Sequence, residues 1–196
     1  MKVLIACEYS GIVRNAFTKL GHDAMSCDLL PSDQPGKHYQ GDVFDIIDDG
    51  WDLMIAHPPC TYLSRAGARW WKNPDRQILA DHAAKFVFKL RDSNIEKIAI
   101  ENPIGQLNKR WRYPDQTIQP YQFGHPYSKA TCLWLKNLPK LIPTKILKEF
   151  TPLIRSNTSH KARNGEKQLG TYSGGLITAK TFQGIAEAMA NQWGNL

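Results

Sequence analysis

Paired cysteines are missing from this chain. Cys7, Cys27, Cys60 and Cys132 lie far apart with no C-x-x-C spacing, which argues against a disulfide framework or a zinc site and predicts a reducing, cytoplasmic setting. Long apolar runs are missing as well. The opening run Val3 to Cys7 stops at Glu8 and is too short for a signal peptide or a membrane span, so neither a targeting segment nor a membrane partner is expected. There is no internal repeat and no low-complexity tract. Acidic residues are the minority, 18 against 25 Lys and Arg, for a net charge of +7; a polyanionic partner is expected, with nucleic acid the first candidate. What remains is ample for a core: 42% hydrophobic and 10% aromatic residues in 196. That composition excludes disorder and fits a single domain over residues 1–196.

Val3 to Cys7 is near-continuously apolar, as a strand covered on both faces should be. Ser10 and Gly11 break it, and Ile12, Val13, Ala16, Phe17 and Leu20 then recur at helical spacing up to Gly21. Further strands are predicted at Asp23 to Asp28, Trp51 to His57 and Lys97 to Glu101, with a helix over Ile78 to Leu90 between the last two. Lys129 to Leu135 reads as a later strand and Ala179 to Trp193 as a final helix with Phe182, Ile185, Ala186 and Met189 on one face. Strand and helix alternating in this way predict an α/β fold with a doubly wound, Rossmann-like sheet. Two stretches, Pro103 to Pro126 and the basic segment Thr144 to Leu176, are expected to be loops or insertions.

In an open sheet of this kind ligands bind beyond the carboxyl ends of the strands, and those are the informative positions here. Glu8-Tyr9-Ser10-Gly11-Ile12 follows the first strand and enters a helix, where free N–H groups are expected to receive an anionic ligand group. Asp28 ends the second strand, at the distance from Gly11 where an acid meets a cofactor ribose. His57-Pro58-Pro59-Cys60 follows the third and Glu101-Asn102-Pro103 the fourth. Singly, each has an ordinary structural explanation as a turn, a cap or a buried thiol. Their joint placement on consecutive strand ends is what points to a site.

These residues, in this order, resemble the DNA cytosine-5 methyltransferase family, of the class I S-adenosylmethionine-dependent type. Tyr9-Ser10-Gly11-Ile12 is similar to the family's Phe-Ala-Gly-Ile turn, Asp28 to its ribose-binding acid, and Gly41-Asp42-Val43 to its Gly-Asp-Ile element near the adenine. Pro59-Cys60 matches the Pro-Cys nucleophile motif and Glu101-Asn102 the Glu-Asn motif. Phe123-Gly124-His125-Pro126-Tyr127-Ser128-Lys129 resembles the Tyr-Gly-x-Pro-Gln-x-Arg segment, and Ile185-Ala186-Glu187-Ala188 the closing helix. The resemblance implies S-adenosylmethionine held by Tyr9, Ser10, Gly11, Ile12, Asp28, Asp42 and Pro58, and catalysis by Cys60, Glu101 and Lys129. It implies DNA as substrate, through a flipped cytosine, with no metal. The chain departs from the family at Val13 and Arg14, where paired glycines are usual, at Thr61, where Gln is usual, and at Thr131, where a second Arg is usual.

The chemistry accounts for these residue types. Cytosine C5 is a poor nucleophile; a thiolate adding at C6 makes C5 enamine-like and able to accept a methyl group, and Cys is the suitable attacking group. A protonated carboxyl donating to N3 favours that attack, the role the resemblance gives Glu101, and a cation near O2 helps further, the role it gives Lys129. His57 is expected to serve the fold more than to activate Cys60. Arg65, Arg69 and Lys72, interleaved with Trp70 and Trp71 after Cys60, suit a lid closing on nucleic acid; packing of the two tryptophans on the following helix is an equal expectation. Lys161, Arg163 and Lys167 lie in the basic segment that stands where the family has its target-recognition domain, so only a short recognition context is expected. Amino-group methylation is disfavoured by His57 and Cys60 at the strand end. RNA or a free nucleotide as substrate, and an inactive nucleic-acid-binding relic, remain as alternatives.

Overall fold

The computed structural model describes residues 1–153 and 180–196. It is a mixed α/β structure around a seven-stranded sheet. The strands are β1 (Lys2–Ala6), β2 (Asp23–Asp28), β3 (His38–Gln40), β4 (Leu53–Ala56), β5 (Lys97–Pro103), β6 (Gln116–Ile118) and β8 (Thr131–Lys136), in the order β3-β2-β1-β4-β5-β8-β6. The first five run parallel, whereas β8 is antiparallel to both β5 and β6. Short β7 (Tyr127–Ser128) and β9 (Thr151–Pro152) pair separately. The helices are α1 (Ile12–Lys19), α2 (Pro74–Arg91), α3 (Leu107–Arg110) and α4 (Gln183–Trp193). The mostly parallel sheet with helices is compatible with the expected Rossmann-like fold.

Alternate residues of the same strands feed two cores, and this is why the runs are continuously apolar. Val3, Ile5, Leu53 and Ile55 pack with Val13 and Phe17 of α1 and Ile185, Met189 and Trp193 of α4. Leu4, Met54, Ile98 and Ile100 face the other way, against Val87 and Leu90 of α2, Trp51 and Trp134. Helices therefore cover both faces. β1 has β2 on one side and β4 on the other, so the chain crosses over in opposite directions and opens a crevice at the carboxyl ends of β1 and β4.

The expected elements are present with ends shifted by a few residues: β4 is shorter than Trp51 to His57, and α2 begins four residues before Ile78, where Asn73 caps it by accepting from the Arg76 N–H. Pro103 to Pro126 is not the expected loop. It contains α3, β6 and a 3₁₀ turn at Pro120–Gln122, each too short to leave a hydrophobic period in the sequence. No described helix is long and apolar enough to cross a membrane.

The start of α4 is pinned to the turn before β7. Gly184 lies where a Cβ would be 2.0 Å from the Phe123 carbonyl oxygen, and its N–H donates to His125 Nε2 at 2.9 Å. Burial holds the His125 imidazole below its ordinary value, partly opposed by Glu187. A native value below the unfolded one means that the bond stabilises above about pH 6.5 and is lost as pH falls through the native value. Urea titrations should show His125→Ala less stable by about 1 kcal/mol at pH 8, with the gap to the parent protein closing towards pH 5.

Candidate functional site

The turn after β1 is built around a buried carboxylate. Cys7 adopts φ of 59°, a left-handed conformation uncommon outside glycine, and directs Glu8 beneath the first turn of α1. Glu8 is 5% exposed. Its Oε1 accepts from the Val13 N–H at 2.8 Å and from Ser10 Oγ at 2.9 Å, and its Oε2 from the Arg14 N–H at 3.2 Å. The Ile12 N–H turns to Ser10 Oγ. The expectation that these N–H groups receive an anionic ligand is therefore corrected, because the chain's own carboxylate takes the helix N-terminus.

Val13 and Arg14, standing where glycines are usual in the resembled family, have definite places. Val13 is in the core. Arg14 is fully buried and sends its guanidinium into the loop after β2, donating to Ser26 Oγ, Ser32 Oγ, and the Gln34 and Pro35 carbonyls. Gly11, at φ of 70°, has no room for a Cβ, which would lie 2.5 Å from that guanidinium. The close approach at Gly11 is thus made by Arg14. The brace holds the loop that carries Asp28 beside the opening turn, and the Asp33 N–H closes it by donating to the Tyr9 carbonyl at 2.8 Å.

Asp28 is half-buried at the end of β2 and accepts from the Leu30 N–H at 3.0 Å. Asp42 caps the 3₁₀ turn Val43–Asp45 by accepting from Phe44. Both carboxylates bear on Cys7: burial first, and then the charge of Asp28, with Asp42 adding to it, pushes that thiol up to about 12. Cys27 is pushed up to about 12 by burial and by Asp28, Asp42 and Asp45. Neither is a thiolate near neutral pH. The crevice end of β1 and β2 is acidic.

Across the switch point, the Pro58 to Ser64 segment is bound to the end of β5. Asn102 Nδ2 donates to the carbonyl of buried Pro58 at 2.9 Å. The Gln106 N–H and Nε2 donate to the Leu63 and Tyr62 carbonyls, and the Arg65 N–H to the Ile104 carbonyl. Gly105 permits this contact, since a Cβ there would sit 1.9 Å from the Leu63 oxygen. Cys60 is partly exposed in this segment, and its carbonyl accepts from Leu63 and Ser64. His57, whose N–H donates to the Ala6 carbonyl, has Nδ1 3.3 Å from Glu101 Oε2. Burial raises the Glu101 carboxyl, but the His57 hydrogen bond and the charges of His57 and Lys129 outweigh it and leave it below the usual glutamate value. The imidazole beside Glu101 works against the protonated form that the resemblance implies for it.

Glu101 and Lys129 line one cleft with Thr131, Lys180, Phe182 and Met189. Thr131 is buried and its hydroxyl donates to the Lys129 carbonyl, so this departure from the family motif secures the backbone of Lys129. Lys180 links the two sides, with Nζ 2.6 Å from Asp33 Oδ2 and 5.8 Å from the centre of the Tyr9 ring. After Cys60, Arg65–Trp70 is a 3₁₀ helix capped by Ser64, and Arg65, Arg69 and Lys72 are exposed. The tryptophans divide: Trp70 is 48% exposed beneath Arg69, while Trp71 is half-buried and accepts from Gln77 through its carbonyl. Lys161, Arg163 and Lys167 lie outside the described residues. Among the described residues no group of three His, Cys, Asp or Glu is arranged to hold a metal ion.

The sequence names Glu8 only as part of the opening turn and Arg14 only as a departure from the resembled family, and gives no sign of Gly105, Gln106, Asp33 or Lys180. Glu8 stands in a strand–turn–helix context where an internal cap was readable; the others act across loops and leave no local pattern. Arg14→Ala removes the brace, leaving the Pro35 carbonyl without its donor and the Gln34 carbonyl with Ser32 Oγ alone, so urea unfolding should show a loss of about 3 kcal/mol. Arg14→Lys should recover less than half of it, since one ammonium cannot span the same acceptors.

A scan against protein-family models finds no match to this chain, and a search of curated proteins finds none either.

Proposed function

We propose that this protein transfers a methyl group from S-adenosylmethionine to C5 of cytosine in DNA, on a sheet of the class I methyltransferase type. The observation that carries the reading is that Asn102, next to Glu101 on β5, holds the Pro58 carbonyl two residues before the partly exposed Cys60, while Lys129 lines the same cleft as Glu101. The strand order β3-β2-β1-β4-β5 supports it by putting the cofactor side and the acceptor side on either side of the switch point.

The acidic half of the crevice suits S-adenosylmethionine in particular. A dinucleotide would bring its pyrophosphate to the N-terminus of α1, where the Glu8 carboxylate already sits. A nucleoside carrying sulfonium and ammonium charges meets no such conflict, and the carboxylates of Asp28 and Asp42 attract it. Asp28 accepts from the ribose hydroxyls, Asp42 lies towards the adenine, and Tyr9 to Ile12 and Pro58 complete the walls. When bound, the cofactor supplies an electrophilic methyl group.

Cys60 as thiolate adds to C6 of a flipped cytosine. Electron density moves through the ring to N3, which Glu101 protonates, while Lys129 offsets charge developing at O2. With the methyl group on C5, N3 returns its proton to Glu101 and the C5 proton passes to water in the cleft, so that the Cys60 sulfur leaves as thiolate and the aromatic ring is restored. The exposed Arg65, Arg69 and Lys72 engage phosphates near the cleft, and Trp70 presents a stacking face.

Removing the Asp28 carboxylate tests the cofactor side: calorimetry should show S-adenosylmethionine binding to Asp28→Ala weakened about tenfold or more, as loss of a hydrogen bond worth about 1.5–3 kcal/mol requires. Unchanged affinity would displace the cofactor from this strand end. Tritiated methyl transfer to DNA, RNA and dCMP tests the acceptor. DNA with 5-fluorocytosine should trap the wild-type protein covalently when cofactor is present, and Cys60→Ala should neither trap nor transfer. A fully active Cys60→Ala protein, or methyl groups found on the exocyclic amine, would overturn the reading.

A further inference from the structure

We propose that His57 is a positioning residue for the reaction, holding Glu101 by one carboxylate oxygen so that the other is presented to the pyrimidine. The inference rests on the proposed function, and it adds a residue that the resemblance does not assign.

The geometry is specific. His57 follows the last residue of β4, and its N–H donates to the Ala6 carbonyl of β1 at 2.9 Å, so its backbone is fixed at the switch point. Its side chain is 11% exposed and that of Glu101 21%. The Nδ1 to Oε2 contact, at 3.3 Å, joins β4 to β5 beyond the end of their ladder. Nε2 is buried and has no hydrogen-bond partner among the described residues, so no second acceptor draws the ring away from Glu101.

Without that contact Glu101 has a competing partner. Lys129 acts on it electrostatically from the lead-in to β8, and Lys180 lines the same cleft from the lead-in to α4. Cys132 of β8 also feels the Glu101 charge, and Cys60 stands on the loop that His57 begins. Released from His57, the carboxylate is drawn to the cations and turned from the base. His57 thereby also keeps the resting carboxylate charged. A docking base removes water from Glu101 and works in the opposite direction, towards the protonated acid that donates to N3.

The test compares His57→Ala with His57→Asn, whose Nδ2 stands close to the place of the imidazole Nδ1 and can donate to Glu101. Methyl transfer by His57→Ala should fall about 100-fold in kcat with S-adenosylmethionine affinity unchanged, and His57→Asn should recover most of it. The pH profile should move as well. Glu101 loses the group that lowers its titration, so the protonated acid persists to higher pH, and the alkaline fall in kcat of His57→Ala should shift upward. An unmoved alkaline limb, or Asn no better than Ala, overturns the inference. A readout independent of catalysis is the Glu101 carboxyl carbon in the free protein by ¹³C NMR, whose midpoint should rise in His57→Ala; an unmoved midpoint also overturns it. If the wild-type protein neither methylates nor is trapped by any cytosine substrate, the proposed function fails, and the carbon titration alone decides the hold of His57 on Glu101.

Discussion

The carboxylate of Glu8 beneath α1 is the constraint around which the site is arranged. A buried carboxylate is tolerated only if hydrogen-bonded and balanced. Here the N–H groups of Val13 and Arg14 and the Ser10 hydroxyl provide the bonds. The helix N-terminus and the nearby Arg14 guanidinium provide the positive potential. One residue therefore fixes where α1 starts, which way the turn runs and, through Arg14, where the loop beyond Asp28 lies. It also removes from the crevice the N–H groups that elsewhere greet phosphate.

The second half of the site depends on backbone proximity more than on charge. Asn102 and Gln106 reach from β5 and the turn after it to the carbonyls of Pro58, Tyr62 and Leu63, and the absence of a side chain at Gly105 lets the two segments touch. Cys60 is thus carried on a loop anchored near both of its ends. A group carried on a loop needs such anchoring to keep its place against one held on a strand, as Glu101 is on β5.

Much of this architecture was readable from pattern. The apolar runs of β1 and β4 and the helical spacing in α1, α2 and α4 reflect burial on two faces, which sequence periodicity records directly. β3, β6 and α3 span three or four residues and owe their form to neighbours such as β8, which no local pattern encodes. The same division runs through the site. Residues immediately after strands, from Tyr9 to Gly11 and at Asp28, Cys60 and Glu101, could be named because the topology places them. The orientation of Arg14 into a loop some twenty residues further on, the approach of Gly105 to Leu63 and the bridge from Lys180 to Asp33 arise from tertiary folding. The surroundings of Glu101 were not legible for a related reason: the resemblance supplies the carboxyl, and only the three-dimensional fold reveals the imidazole next to it.

Charge divides the crevice along the switch point. Glu8, Asp28 and Asp42 lie on the β1–β2 side, close enough that two of them raise the Cys7 thiol; Lys129 and Lys180 line the β5–β8 side, and Arg65, Arg69 and Lys72 are exposed after Cys60. Under the proposed function, a cationic methyl donor and a polyanionic acceptor would be attracted to opposite halves. The Lys180–Asp33 pair joins the halves with side chains 34% and 41% exposed, a setting in which an ion pair adds little to stability. Its consequence lies in placement: it ties the lead-in to α4, which lends Lys180 and Phe182 to the cleft of Glu101, to the loop that follows Asp28.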